Sequence, residues 1–350
     1  MKPKIGLVGT GQTVGIAHYH VKGILADSRA EIAAVYDVNH EGAKTFMNNH
    51  GLNNAVLCSS YAQLLDLVDA VDICTPNFTH IDYVLNAIVA NKSIFVEKPL
   101  ALTTEESRKA VMALDGKNLF HMVGFVYRYS AVMQRLRELI HNDIGQVYTY
   151  QASFGGCRLA NPANPIEWRM LRNQSGSGAL GDFGSHLIDN AAFVAGLKFD
   201  SVSCLSTTNI PVRPANKDGK TEVENDDQSV FIAKSMNNAL ASFTVSRIGM
   251  DELNLVISGQ GGIARVNLAR PDCIHYLPAN KGLYQSSVSQ IELPYQKPFE
   301  DWFVGEMKAF VDGLLGSKQP VPDIYQGHYV EAVIEAAEKS SRNNQVKVTI

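Results

Sequence analysis

Over its first 125 residues the chain alternates short, nearly continuous apolar runs with segments of helical period. The runs are Lys4–Val8, Glu31–Tyr36, Ala55–Cys58, Ala70–Cys74, Ser93–Val96 and Leu119–Gly124. Between them lie helical patterns at Ile16–Ala26, Glu41–Asn49, Tyr61–Val68, Thr79–Ala90 and Thr104–Leu114. Strands that are apolar along their whole length must be covered on both faces. Strands alternating with helices in this way give right-handed βαβ units and a parallel, doubly wound sheet. This single pattern excludes all-α and all-β folds for the first third of the molecule.

After Phe125 the pattern changes. An amphipathic helix is expected over Ser130–His141, a strand over Val147–Phe154, and a polar loop from Gly155 to Gly178. Leu180–Val194 reads as a helix, and strand-like segments then alternate from about Val202 to Leu268. Turns are expected at Lys217-Asp218-Gly219 and Gly259-Gln260-Gly261-Gly262. Helices over Phe299–Leu315 and Gln326–Ser340 close the chain. Such a region forms an α+β domain with a mostly antiparallel sheet. The expected division is therefore residues 1–125 and 126–350, a two-domain α/β chain.

Composition narrows the function classes. The 350 residues carry 31 Lys and Arg against 35 Asp and Glu, a net charge of −4, so the basic excess of a nucleic-acid binder is missing. No apolar run reaches the roughly 18 residues that a membrane span needs, and the N-terminus does not read as a secretory leader. A cytoplasmic location is expected. The five cysteines show no Cys-x-x-Cys pair, which points to reduced thiols and to no structural zinc.

Gly9-Thr10-Gly11-Gln12-Thr13-Val14-Gly15 joins the first strand to the first helix. Glycines there let the backbone bend tightly and let a pyrophosphate come close, while the helix N-terminus supplies N–H donors and partial positive charge. The third glycine comes one residue later than in the common GxGxxG spacing. A tight turn with no ligand is the competing reading. Asp37 closes the second strand, 22 residues after Gly15, where it can accept hydrogen bonds from adenosine ribose hydroxyls and repel a 2′-phosphate. No arginine follows it closely, which favours NAD over NADP. Taken alone, Asp37 could equally cap the next helix.

Thr75-Pro76-Asn77 and Glu97-Lys98-Pro99 stand at the carboxyl ends of the fourth and fifth strands, the edge of an open parallel sheet where ligands bind. Thr75 and Asn77 can hydrogen-bond a ligand or simply build a turn. Lys98 is placed to meet a ligand, or is a solvated lysine. Pro99 makes a cis peptide accessible. In the second region Asp182 and His186 are spaced i, i+4, with Asp189 three residues further on. A carboxylate beside an imidazole orients it and raises its basicity, as a general base near neutral pH requires. A capping Asp with a buried core His is the alternative. No third residue completes a zinc motif, so no metal is expected.

The glycine loop, Thr75-Pro76-Asn77 with His80, Glu97-Lys98-Pro99, Gly124-Phe125-Val126-Tyr127-Arg128 and Asp182-x-x-x-His186 occur in this order. Together they resemble the Gfo/Idh/MocA family along essentially the whole chain. The resemblance implies a Rossmann domain followed by an α+β domain with a large open sheet that commonly pairs subunits, hence a homodimer or homotetramer. It implies Lys98, Asp182 and His186 as catalytic residues, with His186 the base. It places Gly9, Thr10, Gly11, Gln12, Thr13, Val14, Asp37, Thr75, Pro76, Asn77, His80, Glu97 and Lys98 around the dinucleotide. Tyr127, Trp168, Arg169 and Asp189 become substrate-binding residues. Some inositol dehydrogenases carry a basic residue in place of Tyr127. The implied activity is NAD-dependent hydride transfer to or from a secondary alcohol of a sugar or cyclitol. The alternatives are an NADPH-dependent keto-sugar or aldehyde reductase and a silent dinucleotide-binding sensor. Retention of Lys98, Asp182 and His186 together argues against the sensor.

Overall fold

The computed structural model describes residues 2–11, 15–215, 219–249, 253–268, 273–279, 289–292, 299–319 and 321–350. In chain order the elements are β1 (Lys4–Val8), α1 (Ile16–Leu25), β2 (Glu31–Tyr36), α2 (His40–Asn49), β3 (Val56–Leu57), α3 (Tyr61–Leu67), β4 (Ala70–Ile73), α4 (His80–Val89), β5 (Ser93–Glu97), α5 (Thr104–Ala113) and β6 (His121–Gly124). There follow α6 (Ala131–Leu139), β7 (Val147–Gly155), α7 (Arg172–Ser175), α8 (Ser185–Ala195), β8 (Phe199–Thr207), β9 (Val212–Pro214), β10 (Lys220–Glu222), β11 (Gln228–Ser235), β12 (Leu240–Ser246), β13 (Asn254–Gly259), β14 (Gly262–Asn267), β15 (Cys273–Pro278) and β16 (Ser289–Glu292). Helices α9 (Phe299–Leu314) and α10 (Ile324–Arg342) and strand β17 (Val348–Thr349) complete the chain.

Two compact units result, Met1–Tyr129 with Lys297–His328, and Ser130–Gln296 with Tyr329–Ile350. In the first unit the strands run parallel in the order β3-β2-β1-β4-β5-β6. That order reverses direction between β1 and β4, and the crevice at such a switch point is where doubly wound sheets bind ligands. Ile5, Leu7, Val35, Phe95 and Met122 form the sheet's share of the core. Ala17, Val21 and Ile24 of α1 pack on it.

Helix α9 differs from the expected division at Phe125. Its apolar face, with Met307, Phe310 and Val311, joins the core of the first unit. Gly23 of α1 lets the two helices touch, because a Cβ there would lie 2.8 Å from the Met307 side chain. Tyr19 stacks on Phe303 with ring centroids 4.9 Å apart. A C-terminal segment thus completes an N-terminal unit, which a linear division could not show.

The second unit is built on a sheet whose described strands run β16-β15-β14-β13-β7-β12-β11-β8-β17. Only β7 and β12 pair in parallel among these strands. One face is closed by side chains such as Tyr150, Phe199, Phe231 and Phe243, the last two stacked at 4.5 Å. On the other face Leu205, Val230, Ile232 and Leu240 are each more than half exposed, a bulge between β8 and β11 having put Phe199 and Leu205 on different faces. The turn expected at Gly259–Gly262 closes the β13–β14 hairpin, while Lys217 and Asp218 of the other lie outside the described residues. The helix expected over Leu180–Val194 forms with one change: Leu180–Gly184 is a π-helical turn that leads into α8. Insertions of this kind inside helices are frequent at functional sites.

Candidate active site

In the first unit the carboxyl ends of β1, β2, β4 and β5 bring several of the expected residues together. Gly9 has φ 87° and Gly11 φ 54°, conformations that glycine adopts without strain. A Cβ on Gly9 would fall 2.7 Å from Cγ2 of Thr75, so the glycine loop and the Thr75-Pro76-Asn77 turn are in contact. Gln12, Thr13 and Val14 lie outside the described residues. Gly15 begins α1 in the left-handed region and supplies no side-chain cap to the helix. Gly15 thus leaves the first-turn N–H groups of α1 without a cap of its own, and such N–H groups are what a phosphate binds.

Asp37 is held from two sides. Its Oδ2 accepts hydrogen bonds from the Thr10 backbone N–H at 2.7 Å and the Thr10 hydroxyl at 2.8 Å, and its Oδ1 accepts one from the Asn39 N–H at 2.8 Å. A carboxylate offers about four acceptor positions, so one remains on Oδ1 for a hydroxyl. The cap of α2 is Asn39, whose Oδ1 accepts the Gly42 N–H. The competing reading of Asp37 as that cap is thereby replaced: it orders Thr10 and Asn39 and keeps one acceptor position.

The Lys98–Pro99 peptide is cis, as the sequence suggested. Lys98 is half-buried, and its backbone N–H donates to Oε2 of Glu97. His80 is fully buried, with Nδ1 2.8 Å from the Pro99 carbonyl and Nε2 2.8 Å from the Thr75 carbonyl. The ring thus lies between the two turns, and as a neutral imidazole it donates its one N–H to one of these carbonyls. Burial holds its pKa below the usual histidine range despite those carbonyls.

Behind these turns lies a polar cluster that sequence reasoning did not find. His20, buried in α1, places Nδ1 3.0 Å from Asp72 Oδ1 and 3.2 Å from Cys74 Sγ. Its Nε2 is 3.1 Å from Glu97 Oε1. Both ring nitrogens face carboxylates, so both donate and the ring is an imidazolium. Burial works against the charge, but the Asp72 carboxylate outweighs it and holds the His20 pKa well above the ordinary value. Burial pushes the Cys74 thiol up, which keeps it protonated. This donor set is of a kind that can hold a metal, yet its members already satisfy one another by hydrogen bonds. One signal was available: Asp72 is a charged residue inside the otherwise apolar strand β4, where charge needs a partner.

In the second unit Asp182 sits in the π-helical turn, half-buried, and His186 and Asp189 lie buried in the first turns of α8. The ring of His186 lies near Phe154, centroids 6.2 Å apart. Burial, with the Asp189 charge adding to it, drives the Tyr150 hydroxyl's pKa far up. The guanidinium of Arg169 covers the Trp168 ring at 4.4 Å, so the expected Trp-Arg pair is a stacked cation–π unit. Tyr127 belongs to the first unit, in edge contact with Trp302 at 5.5 Å.

A parallel sheet in the order 3-2-1-4-5-6, with a glycine loop, an acidic residue ending β2 and a lysine after β5, defines a dinucleotide-binding protein that carries a second α+β unit. Residues 3–125 match the model of the oxidoreductase family with an NAD-binding Rossmann fold, and residues 133–265 match the Gfo/Idh/MocA C-terminal domain. The chain belongs to the Gfo/Idh/MocA family of oxidoreductases.

Levoglucosan dehydrogenase of Pseudarthrobacter phenanthrenivorans is 29% identical over 335 residues, covering 90% of this chain and 79% of its own. The inositol 2-dehydrogenase/D-chiro-inositol 3-dehydrogenase of Lacticaseibacillus casei is 27% identical over 362 residues, covering 100% and 95%. The solved structure of levoglucosan dehydrogenase with NADH and levoglucosan superposes with a TM-score of 0.91 at 25% identity, covering 100% of this chain and 99% of that one. The expected fold and the NAD-binding Rossmann domain are borne out.

Proposed function

We propose that this protein is an NAD-dependent dehydrogenase that transfers a hydride between a secondary alcohol of a sugar or cyclitol and the nicotinamide. The observation that carries this reading is the Thr10–Asp37 arrangement at the ends of β1 and β2, in a chain similar over nearly its full length to sugar and inositol dehydrogenases. When bound, NAD supplies the hydride acceptor. Gly9, Thr10 and Gly11 give the pyrophosphate a close backbone approach, and Asp37 offers its remaining acceptor position to a ribose hydroxyl. Its negative charge disfavours a 2′-phosphate. Thr75, Pro76 and Asn77 border the dinucleotide. In this reading His80 and Glu97 serve it indirectly, through the turns they hold.

Lys98 stabilises negative charge that develops on the alcohol oxygen. His186 removes the hydroxyl proton, and Asp182 orients the ring. Tyr127, Trp168, Arg169 and Asp189 grip the remaining hydroxyls and ring face of the substrate. The same groups serve the reverse reduction.

The exposed apolar row of Leu205, Val230, Ile232 and Leu240 supports a homodimer or homotetramer that buries this sheet face. No described helix is long and apolar enough to cross a membrane, which fits the proposed cytoplasmic location. The test is the absorbance of reduced cofactor with a panel of pyranosides, anhydrosugars and inositols, each with NAD and with NADP. NAD-linked turnover with at least one polyol is expected. Tight NAD binding with no turnover across the panel and its ketone counterparts would overturn the reading in favour of a sensor.

A further inference from the structure

We propose that Asp226 is a positioning residue that fastens the N-terminus of the Leu180–Ala195 helical segment and thereby sets the place of Asp182 and His186. The inference rests on the reading that those two side chains serve the chemistry.

A helix presents unpaired N–H groups at its start, and whatever binds them fixes the helix in position. Here one residue binds three consecutive amides. Asp226 Oδ1 accepts the Gly178 N–H at 2.8 Å, and Oδ2 accepts the Leu180 N–H at 2.9 Å. The Asp226 carbonyl accepts the intervening Ala179 N–H at 3.1 Å. The Ser229 hydroxyl donates to Oδ2 at 2.9 Å and steadies the carboxylate. Hydrogen bonds to an ionised carboxylate are about twice as strong as neutral ones. The fit is close: a Cβ on Gly178 would stand 1.9 Å from the Asp226 carbonyl oxygen, so only glycine can occupy that position.

The neighbours of Asp226 extend the joint. Asn225 is buried, and its amide donates to the Arg169 carbonyl at 3.1 Å and to the Ser175 hydroxyl at 2.7 Å. Asp227 is buried, and accepts from Arg247 Nε at 2.9 Å and from the Ile210 N–H at 2.8 Å. Arg247 reaches on to the Arg169 carbonyl at 3.2 Å. Three consecutive residues therefore tie the Asp182/His186 segment to the loop that carries Trp168 and Arg169, and both to the sheet. Leu180 precedes Asp182 by two residues and His186 by six, so a tilt at the fastened end displaces both. Misplacement of a reacting group by about 1 Å can cost about a hundredfold in rate.

The experiment is steady-state kinetics of Asp226→Asn on the full chain, with active sites counted by NADH-binding stoichiometry and assays run well below melting. The amide keeps one acceptor oxygen and presents an N–H₂ where a second acceptor is needed. The turnover number should fall about 10- to 100-fold while the NAD dissociation constant stays within twofold. Hydrogen exchange of the amides over 178–184 should quicken. Ser229→Ala, which removes only the steadying hydroxyl, should lower turnover a few-fold. It serves as the test if Asp226→Asn does not fold, in which case normal turnover of Ser229→Ala overturns the proposal. Quickened exchange with turnover per site unchanged in Asp226→Asn also overturns it. His186→Ala is measured in parallel and should lose two to four orders of magnitude. An inactive His186→Ala beside a normal Asp226→Asn refutes this inference alone. A fully active His186→Ala refutes the catalytic reading and this inference with it.

Discussion

Replacing His20 with alanine should be among the most destabilising single changes in the first unit. The ring is completely buried, 3.0 Å from Asp72 and 3.1 Å from Glu97. Without it two buried carboxylates lose their shared cation, and Glu306 stands nearby, its ligand oxygen within 4.8 Å of those of His20 and Glu97. Breaking a buried ion pair by removing one partner costs about 3–5 kcal/mol. At about 2–4 °C per kcal/mol for a domain of this size, melting of the first unit should fall by on the order of 10 °C. Calorimetry reads the shift, and loss of NAD-induced stabilisation assigns it to the first unit. The pH dependence has a definite sign. The folded pKa of His20 is raised, so its contribution is complete below the unfolded value of about 6.5 and is lost as the pH climbs through the folded value. The gap in melting temperature between wild type and His20→Ala should thus be full at about pH 6.5 and below and narrow toward alkaline pH. The exposed Lys22–Glu300 pair is the contrast, and Lys22→Ala should leave melting nearly unchanged. A shift under about 2 °C for His20→Ala, or a gap that grows with pH, would refute the imidazolium bridge.

Three further outcomes are expected. Asp37→Ser with Asn39→Arg should move the kcat/KM preference from NAD toward NADP, at a cost of about 1 kcal/mol in stability, because Asn39 caps α2; unchanged preference would remove Asp37 from cofactor choice. Lys98→Met should slow single-turnover hydride transfer by two or more orders of magnitude with little change in NAD affinity, whereas Lys92→Met, which loses only a hydrogen bond to the Val68 carbonyl, should not; identical behaviour of the two variants would leave Lys98 a solvated lysine. Ile232→Glu with Leu240→Glu should shift the protein toward monomer in sedimentation velocity, and an unchanged assembly would exclude this sheet face as the contact.

Much of the first unit is set by local pattern. A strand covered on both faces must be apolar throughout, and Lys4–Val8, Glu31–Tyr36 and Ala70–Ile73 form close to where their apolar runs lie. The glycine loop, Asp37 and the cis Lys98–Pro99 bond were legible because each depends on a few adjacent residues. The helix that carries Asp182 and His186 was legible too, but the π-helical turn over Leu180–Gly184 replaces the α-helical period on which the i, i+4 reading rested. The tertiary structure decided the rest, through partners far apart in sequence. His20 meets Asp72 across 52 residues and Glu97 across 77, and Asp226 meets Gly178 across 48. Helix α9 completes the core around α1 although nearly 300 residues separate their starts. Backbone periodicity fixes which face a side chain takes within its own element, and that much can be read from the sequence. Which buried charge faces which is fixed only when the chain closes, because burial demands a partner without specifying it.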